Sequence, residues 1–560
     1  MNKKALVGIL ILAAVLRFWN LGSGDPLSDE ILYAFRSVGM LDFDNAAHQT
    51  TPLEWTDPDI PAWTELSFHD HPPLVFWVQN LFMKIFGENT FAFRLPSAIF
   101  GVLAVYLLYL IGWRLFTEKI GLAAAAILAV TINSVFISRV GLQESYVIFF
   151  ILLAFYFFLR ALDKEKYFVW VGIALGLGFL AKYTVFILAP AFLVYLVIFR
   201  REIFKKRFFW LGIFISLAIF SPVIIYNIQL YKSVGHFDFQ ISYLFGQQPE
   251  VWKVAPGKEE IGSLADRLRN FLPNLFSANS WLFLTAALLS FLGIGAMSYR
   301  TILRPNLFFI FLILGFHFIL FLIIGPQLRF LSMATPWLVL MLAAGFWLIQ
   351  ERFFKSRKVF IAAALLFLVG ESAYTLNSQF FNKPFGLEFW DFSKVHYENY
   401  DWGYNTLGDY LEQELRNKMP AFTFDLKYKF LEDARNRNLE QARRKKFIPY
   451  PAMIIYDGNV HNAAQAWYLD RLQIYHGWPV MKAQEYLDFL NKEGEDYFRR
   501  AGLENAYLII PTEKLPLKRL DQLTNFGAVV EQELLKKGIY PLLLYNGSNE
   551  GVLRVYKFRF

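Results

Sequence analysis

The chain has 560 residues, of which 56% are apolar and 18% aromatic, and it contains no cysteine. Its mean hydropathy of +0.35 is too high for an ordinary soluble domain, so the composition predicts a membrane protein with a separate water-soluble part. The net charge of +8 fits basic cytoplasmic loops and lipid headgroups, and no RNA- or DNA-binding motif accompanies it. Without cysteines, disulfides, thiolate catalysis and cysteine-ligated metals are excluded.

Residues 1–22, MNKKALVGILILAAVLRFWNLG, combine two lysines with a long apolar run. The run ends in Arg17, Trp19 and Asn20, and no small-x-small cleavage site follows. This pattern favours a retained first transmembrane helix over a cleaved signal peptide.

Further apolar runs follow at intervals, and the hydrocarbon core of a bilayer needs about 20 mostly apolar residues per helix. By this measure we predict eleven spans, near 5–21, 94–116, 120–137, 145–161, 167–181, 183–199, 208–227, 279–297, 306–324, 328–349 and 358–376. The stretch 73–87 is apolar but short, so we expect an amphipathic helix lying in the membrane interface.

Lysines and arginines are concentrated at alternate ends of these spans. This pattern predicts the orientation of the spans in the membrane. The positions are Lys3, Lys4, Arg114, Lys119, Lys164, Lys166, 200–207, Arg300, Arg304, Arg352, Lys355, Arg357 and Lys358. By the positive-inside rule this side faces the cytoplasm. The long loops 22–93 and 228–278 and everything after 376 are then expected on the external, periplasmic side of the cytoplasmic membrane.

The sequence changes character at residue 377. A charged helical pattern covers 424–447, and β-like runs occupy 452–456, 506–510, 541–545 and 552–558. We therefore predict a transmembrane domain over 1–376 and a soluble external α/β domain over 377–560.

Two adjacent acids, Asp29 and Glu30, follow the first span, with Tyr33 close behind them. One acid could act as a general base on a hydroxyl, which requires hydrogen-bonding reach and a suitable pKa. The alternative is helix capping, with Ser28 as the N-cap and both acids in the first turn beside the positive end of the helix dipole.

A histidine pair flanks an aspartate in HDHPP, residues 69–73. His71 and Asp70 could bind a divalent metal or a phosphate, although no closed zinc motif is present. The competing interpretation is a solvated surface loop.

Three charged residues occur in tight external turns. Glu144 in SRVGLQES could join an acidic cluster with Asp29, form a salt bridge, or simply be a polar residue of the turn. Lys182 lies between two apolar runs, where it could bind an anion or snorkel to the interface. Arg329 could bind phosphate in a bidentate manner, or it could be a structural arginine at the end of a helix. Weaker candidates of the same kind are His236, Arg267 and Arg269.

Taken together, these residues describe one site with acids to activate a nucleophile and bases to hold a phosphate at the height of a lipid headgroup. Such chemistry is group transfer from a phosphate-linked lipid. No P-loop or dinucleotide fingerprint is present, so we expect no nucleotide cofactor.

An ordered series of motifs resembles a known superfamily. The acidic DE pair is followed by HPPL (71–74), AFRLPSAIFGVLAVYLLYLIGWRLF (92–116), SRVGLQES (138–145) and FLAKYT. The series resembles the polyprenyl-phosphate-sugar-dependent glycosyltransferases of the dolichyl-phosphate-mannose protein mannosyltransferase superfamily, which includes the bacterial lipid A aminoarabinose transferases. The resemblance covers roughly residues 1–330 and implies the membrane type-C glycosyltransferase fold.

The resemblance also implies roles for individual residues. Asp29 looks like the catalytic first-loop acid, with Glu30 and Glu144 as its acidic partners, while Lys182 looks like the lysine near the donor phosphate. His71 belongs to the loop that shapes the donor or metal site. We add Arg329 and Tyr33 as expected phosphate contacts, and Asp29, Glu144 and His71 as candidate ligands of Mg, Mn or Zn.

Two departures from the family pattern leave the specificity and the metal dependence open, the first through His71 and the second through Glu144. His71 stands where the lipid A enzymes have a glutamate–lysine pair before the prolines, and Glu144 stands where many members have aspartate. The predicted activity is transfer of a hexosyl or pentosyl group, such as mannose or aminoarabinose, from a polyprenyl phosphate such as undecaprenyl phosphate. The acceptor would be lipid A, a protein hydroxyl or an envelope glycan.

Two other functions fit parts of the pattern. A transporter or flippase of lipid-linked sugar would also place charges in the membrane. A glycan-binding external module could stack sugars on aromatic side chains, for which the candidates are Trp467, Tyr468, Tyr475 and Trp478.

Overall fold

A computed structural model of the protein describes residues 3–42, 61–247, 262–295, 305–353, 357–381, 384–386, 400–426 and 429–560. The predicted cytoplasmic residues Arg300, Arg304 and Lys355 lie outside these ranges. The chain forms two compact units. The membrane unit comprises Met1–Leu21, Pro61–Phe82 and Phe91–Tyr397, and the α/β unit comprises Gly22–Ile60, Met83–Thr90 and Glu398–Phe560. The α/β unit therefore includes two segments of the predicted loop 22–93 besides the C-terminal part.

Up to residue 380, the described residues are mostly helical. In chain order the helices are α1 (Lys3–Phe18), α2 (Glu30–Gly39), α3 (Leu74–Phe86), α4 (Thr90–Leu115), α5 (Glu118–Val130), α6 (Ile132–Arg139), α7 (Glu144–Ala161), α8 (Phe168–Ala181), α9 (Leu188–Phe199), α10 (Arg207–Val234), α11 (Phe239–Leu244), α12 (Leu264–Ala278), α13 (Trp281–Gly295), α14 (Pro305–Ile324), α15 (Leu328–Leu331), α16 (Thr335–Phe353) and α17 (Arg357–Phe380).

The polytopic helical architecture predicted from the sequence is confirmed, with fewer full-length spans than the eleven apolar runs suggest. Within the described residues, six helical segments are long and apolar enough to cross a bilayer: α4, α7, α10, α14, α15 with α16, and α17. Two further spans are possible if α5–α6 and α12–α13, bent by 60° and 119°, each count as one. The other predicted spans fall on shorter helices, namely the 16 residues of α1, the 14 residues of α8 and the segment Tyr183–Phe199.

The break between α5 and α6 is stabilised by polar side chains from distant parts of the chain. Ending α5 at Val130 frees carbonyl groups that a continuous helix would use. Arg17, fully buried, donates to the carbonyls of Leu128 and Ala129 at 3.2 and 3.0 Å. The hydroxyl of Thr375 donates to the carbonyl of Val130 at 2.6 Å.

Arginines also cap the C-terminal end of α1. Arg139 donates to the carbonyls of Trp19 at 2.8 Å and Asn20 at 3.2 Å, and Arg94 donates to that of Leu21 at 3.3 Å. Arg139 also donates to the carbonyls of Leu16 at 3.3 Å and Arg17 at 3.4 Å, in the last turn of α1, where a helix leaves its acceptors unused. The arginines of the SRVGLQES and RLPS motifs therefore hold the first helix in place.

A buried carboxylate, Glu371 in α17, connects the two bent helix pairs. The hydroxyl of Ser280, beside the α12–α13 break, donates to it, and the backbone N–H of Ile132, at the start of α6, also interacts with it. Because each break exposes a polar group that α17 satisfies, we infer that Glu371 stabilises both bends.

Replacing Glu371 with leucine is expected to lower the free energy of unfolding by about 2 to 4 kcal/mol, because two buried donors lose their acceptor. Glutamine keeps an acceptor oxygen at this position and should cost less. Thermal unfolding of the purified protein measures both effects. Ser372→Ala is the matched control, since the hydrogen bond of Ser372 among the described residues goes to the carbonyl of Leu368 in its own helix. Equal melting temperatures for Glu371→Leu and the unaltered protein would contradict this role.

The α/β unit contains the sheet expected in the C-terminal part. Helices and strands alternate along this part of the chain. The helices are α18 (Tyr404–Leu415), α19 (Lys429–Arg444), α20 (Asn462–Gln465), α21 (Arg471–Ile474), α22 (Ala483–Glu493), α23 (Tyr497–Arg500) and α24 (Phe526–Lys536). The strands are β1 (Lys418–Pro420), β2 (Ile448–Tyr450), β3 (Ala452–Tyr456), β4 (Val480–Lys482), β5 (Asn505–Pro511), β6 (Leu542–Tyr545) and β7 (Gly551–Arg559). All four predicted strands are present. The three that the sequence does not reveal, β1, β2 and β4, have three residues each, too few for a visible alternation.

The main sheet has the strand order β4-β3-β5-β7-β6, with β3 parallel to β4 and β5, and β7 antiparallel to its neighbours. Helices α22, α23 and α24 cover one face through Tyr486, Phe498 and Val530. Helix α18 lies on the other face, where Tyr507 donates to Glu414 at 2.8 Å. The arrangement is a small sheet with helices on both faces.

Loop residue Glu88 is tied into this unit by ion pairs. Arg471 donates to its carboxylate at 2.7 Å, and His476 lies 2.9 Å from the same oxygen. Burial opposes ionisation of the carboxyl, but His476 and Arg471 hold the pKa of Glu88 well below its ordinary value.

The prediction that four aromatic side chains could stack on sugars is wrong. Trp467, Tyr468, Tyr475 and Trp478 are 2%, 3%, 0% and 4% exposed. They pack in the core, which is the commoner use of large aromatic side chains.

Candidate active site

The acidic pair lies at the start of α2 in the α/β unit. Asp29 occupies the N-cap position and Glu30, fully buried, is the first helical residue. Of the capping alternative, the position of Glu30 in the first turn is confirmed, whereas Ser28 as the cap is wrong, because among the described residues its Oγ has no hydrogen-bond partner. The Asp29 side chain makes no cap hydrogen bond either. The carboxylates therefore stand at the positive end of a helix dipole without serving as its cap.

Helix α2 is firmly held, which fixes the position of the acids. The hydroxyl of Tyr475 donates to the carbonyl of Phe35 at 2.7 Å, and the two rings lie 5.0 Å apart. A Cβ at Gly39 would lie 2.2 Å from the Tyr475 ring, so only glycine permits this approach. Tyr33, one turn after Asp29, is buried within the unit, and its carbonyl accepts a hydrogen bond from Ser37 at 2.6 Å.

In the membrane unit, the central feature is a buried ion pair between Lys182 and Glu144. Glu144 is the first residue of α7 and Lys182 directly follows α8, so both occupy helix ends. Lys182 Nζ donates to Glu144 Oε1 at 2.6 Å, and both side chains are almost fully buried. Snorkelling of Lys182 is therefore wrong, and the salt bridge considered for Glu144 is present. In the part of the chain that the structure describes, Glu144 Oε2 has no hydrogen bond.

Arg329 joins this pair through the ring of Phe330. The Nζ of Lys182 lies 4.7 Å from the centre of the ring, and the guanidinium carbon of Arg329 lies 5.0 Å from it. The positive charge of Arg329 also acts on Glu144. Residues from three separate parts of the membrane unit thus form one charged group around one aromatic ring.

A second polar network anchors the turn that carries Lys182. The hydroxyl of Tyr183 donates to Asp238 Oδ2 at 2.5 Å, and the amide of Asn227 donates to the same oxygen at 2.9 Å. The backbone N–H of Ile241 donates to Oδ1 at 2.8 Å. Burial raises the pKa of Asp238, against these hydrogen bonds, which lower it. The network fixes the residue next to Lys182.

The histidine loop is attached to the same network through α11. The backbone N–H of Phe239 donates to the carbonyl of His69 at 2.8 Å, and Gln240 donates to that of Asp70 at 2.6 Å. Asp70 Oδ1 lies 3.0 Å from Nδ1 of His71, and Oδ2 lies 3.8 Å from Nε2 of His69. His71 is only 14% exposed, so the alternative of a solvated loop is wrong.

This loop supplies groups that fit a divalent metal. Imidazole nitrogens and carboxylate oxygens are both common ligands of divalent metals in proteins. Asp70 and His71 lie within ion-pair distance of each other, so the loop brings one group of each kind together. The metal ligand set of Asp29, Glu144 and His71 stays a prediction.

The sequence-predicted residues thus divide between the two units. His71, Glu144, Lys182 and Arg329 belong to the membrane unit, whereas Asp29, Glu30 and Tyr33 belong to the α/β unit. Their convergence on one donor stays a prediction. Of the weaker candidates, Arg267 donates to the carbonyls of Leu322 and Ile323 at the end of α14, which is a structural role.

Sequence reasoning missed four residues that shape this site: Tyr183, Asn227, Asp238 and Phe330. An amide within an apolar helix, such as Asn227, is a functional candidate by default, and that signal was available. Tyr183, Asp238 and Phe330 lie in aromatic-rich stretches that show no distinguishing pattern.

Comparison with known proteins gives a family match over part of the chain. Residues 70–226 match the dolichyl-phosphate-mannose-protein mannosyltransferase family. YycA of Bacillus subtilis, whose name carries mannosyltransferase as a provisional assignment, is 31% identical over 207 residues, which are 36% of this chain and 28% of YycA. An undecaprenyl phosphate-alpha-4-amino-4-deoxy-L-arabinose arabinosyl transferase of Pseudomonas savastanoi is 29% identical over 233 residues, which are 40% of this chain and 42% of that protein. The matches thus span less than half of these relatives.

The fold is similar to that of a solved membrane enzyme over the whole chain. The crystal structure of ArnT from Cupriavidus metallidurans bound to undecaprenyl phosphate aligns with a TM-score of 0.52. The alignment covers 100% of this chain and 98% of that chain at 13% identity. The apo structure of the same enzyme aligns with a TM-score of 0.51.

Proposed function

Because the chain has the fold and the family match of the type-C glycosyltransferases, we propose that it transfers a sugar from a polyprenyl-phosphate carrier to an acceptor on the outer face of the cytoplasmic membrane. The resemblance predicted from the sequence is confirmed for the superfamily and the fold. The reaction, the donor and the acceptor are our inference from the site.

One observation supports this function most: the charged group of Glu144, Lys182 and Arg329 around Phe330. A departing phosphate needs cationic donors that are already in place when its charge develops. Arginine and lysine serve this purpose in different ways, since the guanidinium binds two phosphate oxygens and the ammonium acts as a compact charge. The ion pair with Glu144 holds Lys182 at the end of α8, ready for a phosphate.

The proposed reaction is a direct displacement at the anomeric carbon of the donor sugar. The acceptor hydroxyl attacks this carbon and passes its proton to Asp29, the general base. The bond between the anomeric carbon and the phosphate oxygen breaks, and polyprenyl phosphate leaves with both electrons. Lys182 and Arg329 stabilise its negative charge, and the sugar is transferred with inversion. Glu30 and Glu144 position the acceptor and the cations, and Tyr33 contacts the donor phosphate.

A divalent metal fits this scheme at the histidine loop. His71 would hold Mg, Mn or Zn, and Asp70, whose carboxylate lies 3.0 Å from Nδ1 of the ring, is the acidic group nearest to it in this loop. When bound, such an ion would neutralise negative charge on the phosphate. The chain's own cations, Lys182 and Arg329, contact the phosphate in either case.

The cellular setting is part of the proposal. Lysines and arginines at alternate ends of the eleven predicted spans support our expectation that the opposite ends, with Glu144 and Lys182, face the outer side. The acceptor would be lipid A, a protein hydroxyl or an envelope glycan, each of which presents a nucleophilic oxygen there. No observation in the described part of the chain favours the transporter alternative.

The test is mass analysis of envelope glycolipids and glycoproteins from cells with and without this chain. We expect one class of molecule to lose a single sugar when the chain is absent and to regain it when the intact gene is returned. A variant carrying Asp29→Asn should fail to restore it. Identical glycan profiles in both cells would contradict the proposal.

A further inference from the structure

The topology of the sheet in the α/β unit creates a second place suited to a ligand. The chain passes from β3 to β4 through α20 and α21, and from β4 to β5 through α22 and α23, which pack on one face of the sheet. Since β4 and β5 flank β3 on opposite sides, the winding direction reverses at β3. In open α/β sheets, ligands bind in the crevice that such a reversal opens at the carboxyl ends of the parallel strands.

The loop that follows β5 folds onto the turn that follows β3 at this edge. The backbone N–H of Lys518 donates to the carbonyl of Asn459 at 3.1 Å. Asn459 and Thr524 exchange two further hydrogen bonds, at 2.8 and 2.7 Å. These contacts carry the side chain of Lys518 over the carboxyl ends of the strands.

A connected set of polar side chains lies under this loop. Lys518 Nζ donates to Gln465 Oε1 at 3.2 Å, and Gln465 Nε2 donates to Asp470 over a long 3.3 Å. Lys482, the last residue of β4, and Asp457, which follows β3, act on Lys518 through their charges. Four of these side chains are half-buried, while Asp457 is buried.

Much of the hydrogen-bonding capacity of this set is unused. Lys518 offers three N–H donors and Asp470 two oxygens with four acceptor positions. In the described ranges, Lys518 makes no ion pair within 4.0 Å, and the only partner of the Asp470 carboxylate is Gln465. Burial, followed by the charge of Lys482, lowers the pKa of Lys518, and burial raises the pKa of Asp470 to about 6. Half-buried polar groups with spare donors and acceptors are what a polar ligand requires.

We propose that Gln465, Asp470, Lys482 and Lys518 form a binding site for a neutral sugar residue at the carboxyl edge of this sheet. Lys482 and Lys518 are offset by Asp470 and the neighbouring Asp457, and Glu485 also acts on Asp470, so the set presents no excess of positive charge to an anion. Sugar hydroxyls both donate and accept hydrogen bonds, and the set provides both partners side by side. This site is separate from the residues of the proposed transfer reaction, and its occupancy needs no donor lipid.

The experiment measures binding of methyl glycosides to the full-length protein in lipid nanodiscs, which avoids sugar-based detergents. The probes are the methyl glycosides of mannose, arabinose, glucose and galactose. Binding of each probe is measured by saturation-transfer NMR titration without donor lipid. We expect at least one of these glycosides to bind saturably. Lys518→Met and Asp470→Asn should each weaken its binding about tenfold, because each variant loses a charge-assisted hydrogen bond to the sugar. Lys514→Met, an exposed lysine in the same loop, is the matched control and should bind as the unaltered protein does.

Three results would overturn the proposal. They are no saturable binding of any of the four glycosides, binding that both variants leave unchanged while their melting temperatures stay normal, and displacement of the glycoside by adenosine monophosphate. Because the assay contains no polyprenyl phosphate, its outcome is independent of whether the transferase proposal is correct.

Discussion

Asp29→Asn is expected to abolish sugar transfer while the protein remains folded and inserted in the membrane. Asparagine keeps the shape of the side chain but cannot accept a proton at neutral pH. General-base catalysis contributes about 10²- to 10⁴-fold to a rate, so the loss should be of that size. The measurement is the initial rate of transfer by the purified protein at saturating donor.

The structure offers an adjacent control for this variant. Ser28 precedes Asp29, and its hydroxyl has no hydrogen-bond partner in the described ranges, so Ser28→Ala should retain full activity and stability. The Asp29 side chain makes no capping bond to α2, so its replacement removes no helix cap, and thermal unfolding of the variant separates a loss of catalysis from a loss of folding. Near-normal transfer by Asp29→Asn would remove this residue from the mechanism.

Lys182→Met is expected to weaken donor binding strongly and also to destabilise the protein. The change leaves Glu144 as a buried charge without its ion-pair partner, which costs about 3 to 5 kcal/mol. It also removes a proposed phosphate contact, so the affinity for polyprenyl phosphate should fall more than the affinity for the acceptor. Titration of the purified variant with polyprenyl phosphate measures the first effect, and thermal unfolding measures the second.

A double variant separates the structural effect from the functional one. Adding Glu144→Gln to Lys182→Met removes the uncompensated charge, so the melting temperature should recover much of its loss. Donor binding should stay weak, because no cation has been restored. Lys164→Met, an exposed lysine at a predicted cytoplasmic turn, should change neither quantity. Recovery of donor binding together with stability would mean that Lys182 is only a structural residue.

Helices and strands could be predicted well because each is encoded by its own local pattern. Every predicted span lies on a helix, and β3, β5, β6 and β7 lie where runs of β-branched and aromatic residues indicate strands. The number of full-length spans could not be predicted in the same way. The break after Val130 depends on Arg17 and Thr375. The sequence around Val130 does not predict contacts with residues so distant in the chain.

Individual site residues could be identified as candidates, but their partners could not. Lys182 and Glu144 each stand out as charges between apolar runs, yet only the packing of α7 and α8 reveals that they form an ion pair. Tyr183 and Asp238 carry no comparable signal, since a tyrosine and an aspartate in an aromatic-rich loop are unremarkable. The aromatic residues near Trp467 illustrate the reverse error, because amphipathic helices place such side chains in the core as readily as on a surface.

The central claim is that the protein breaks the bond between a sugar and a polyprenyl phosphate. Its most direct test uses the protein reconstituted in vesicles with a synthetic undecaprenyl-phosphate-linked sugar and an envelope extract as the acceptor. The account predicts release of one free undecaprenyl phosphate for each sugar that appears on an acceptor, with the anomeric configuration inverted. Movement of the intact sugar lipid across the vesicle membrane without release of undecaprenyl phosphate would contradict it.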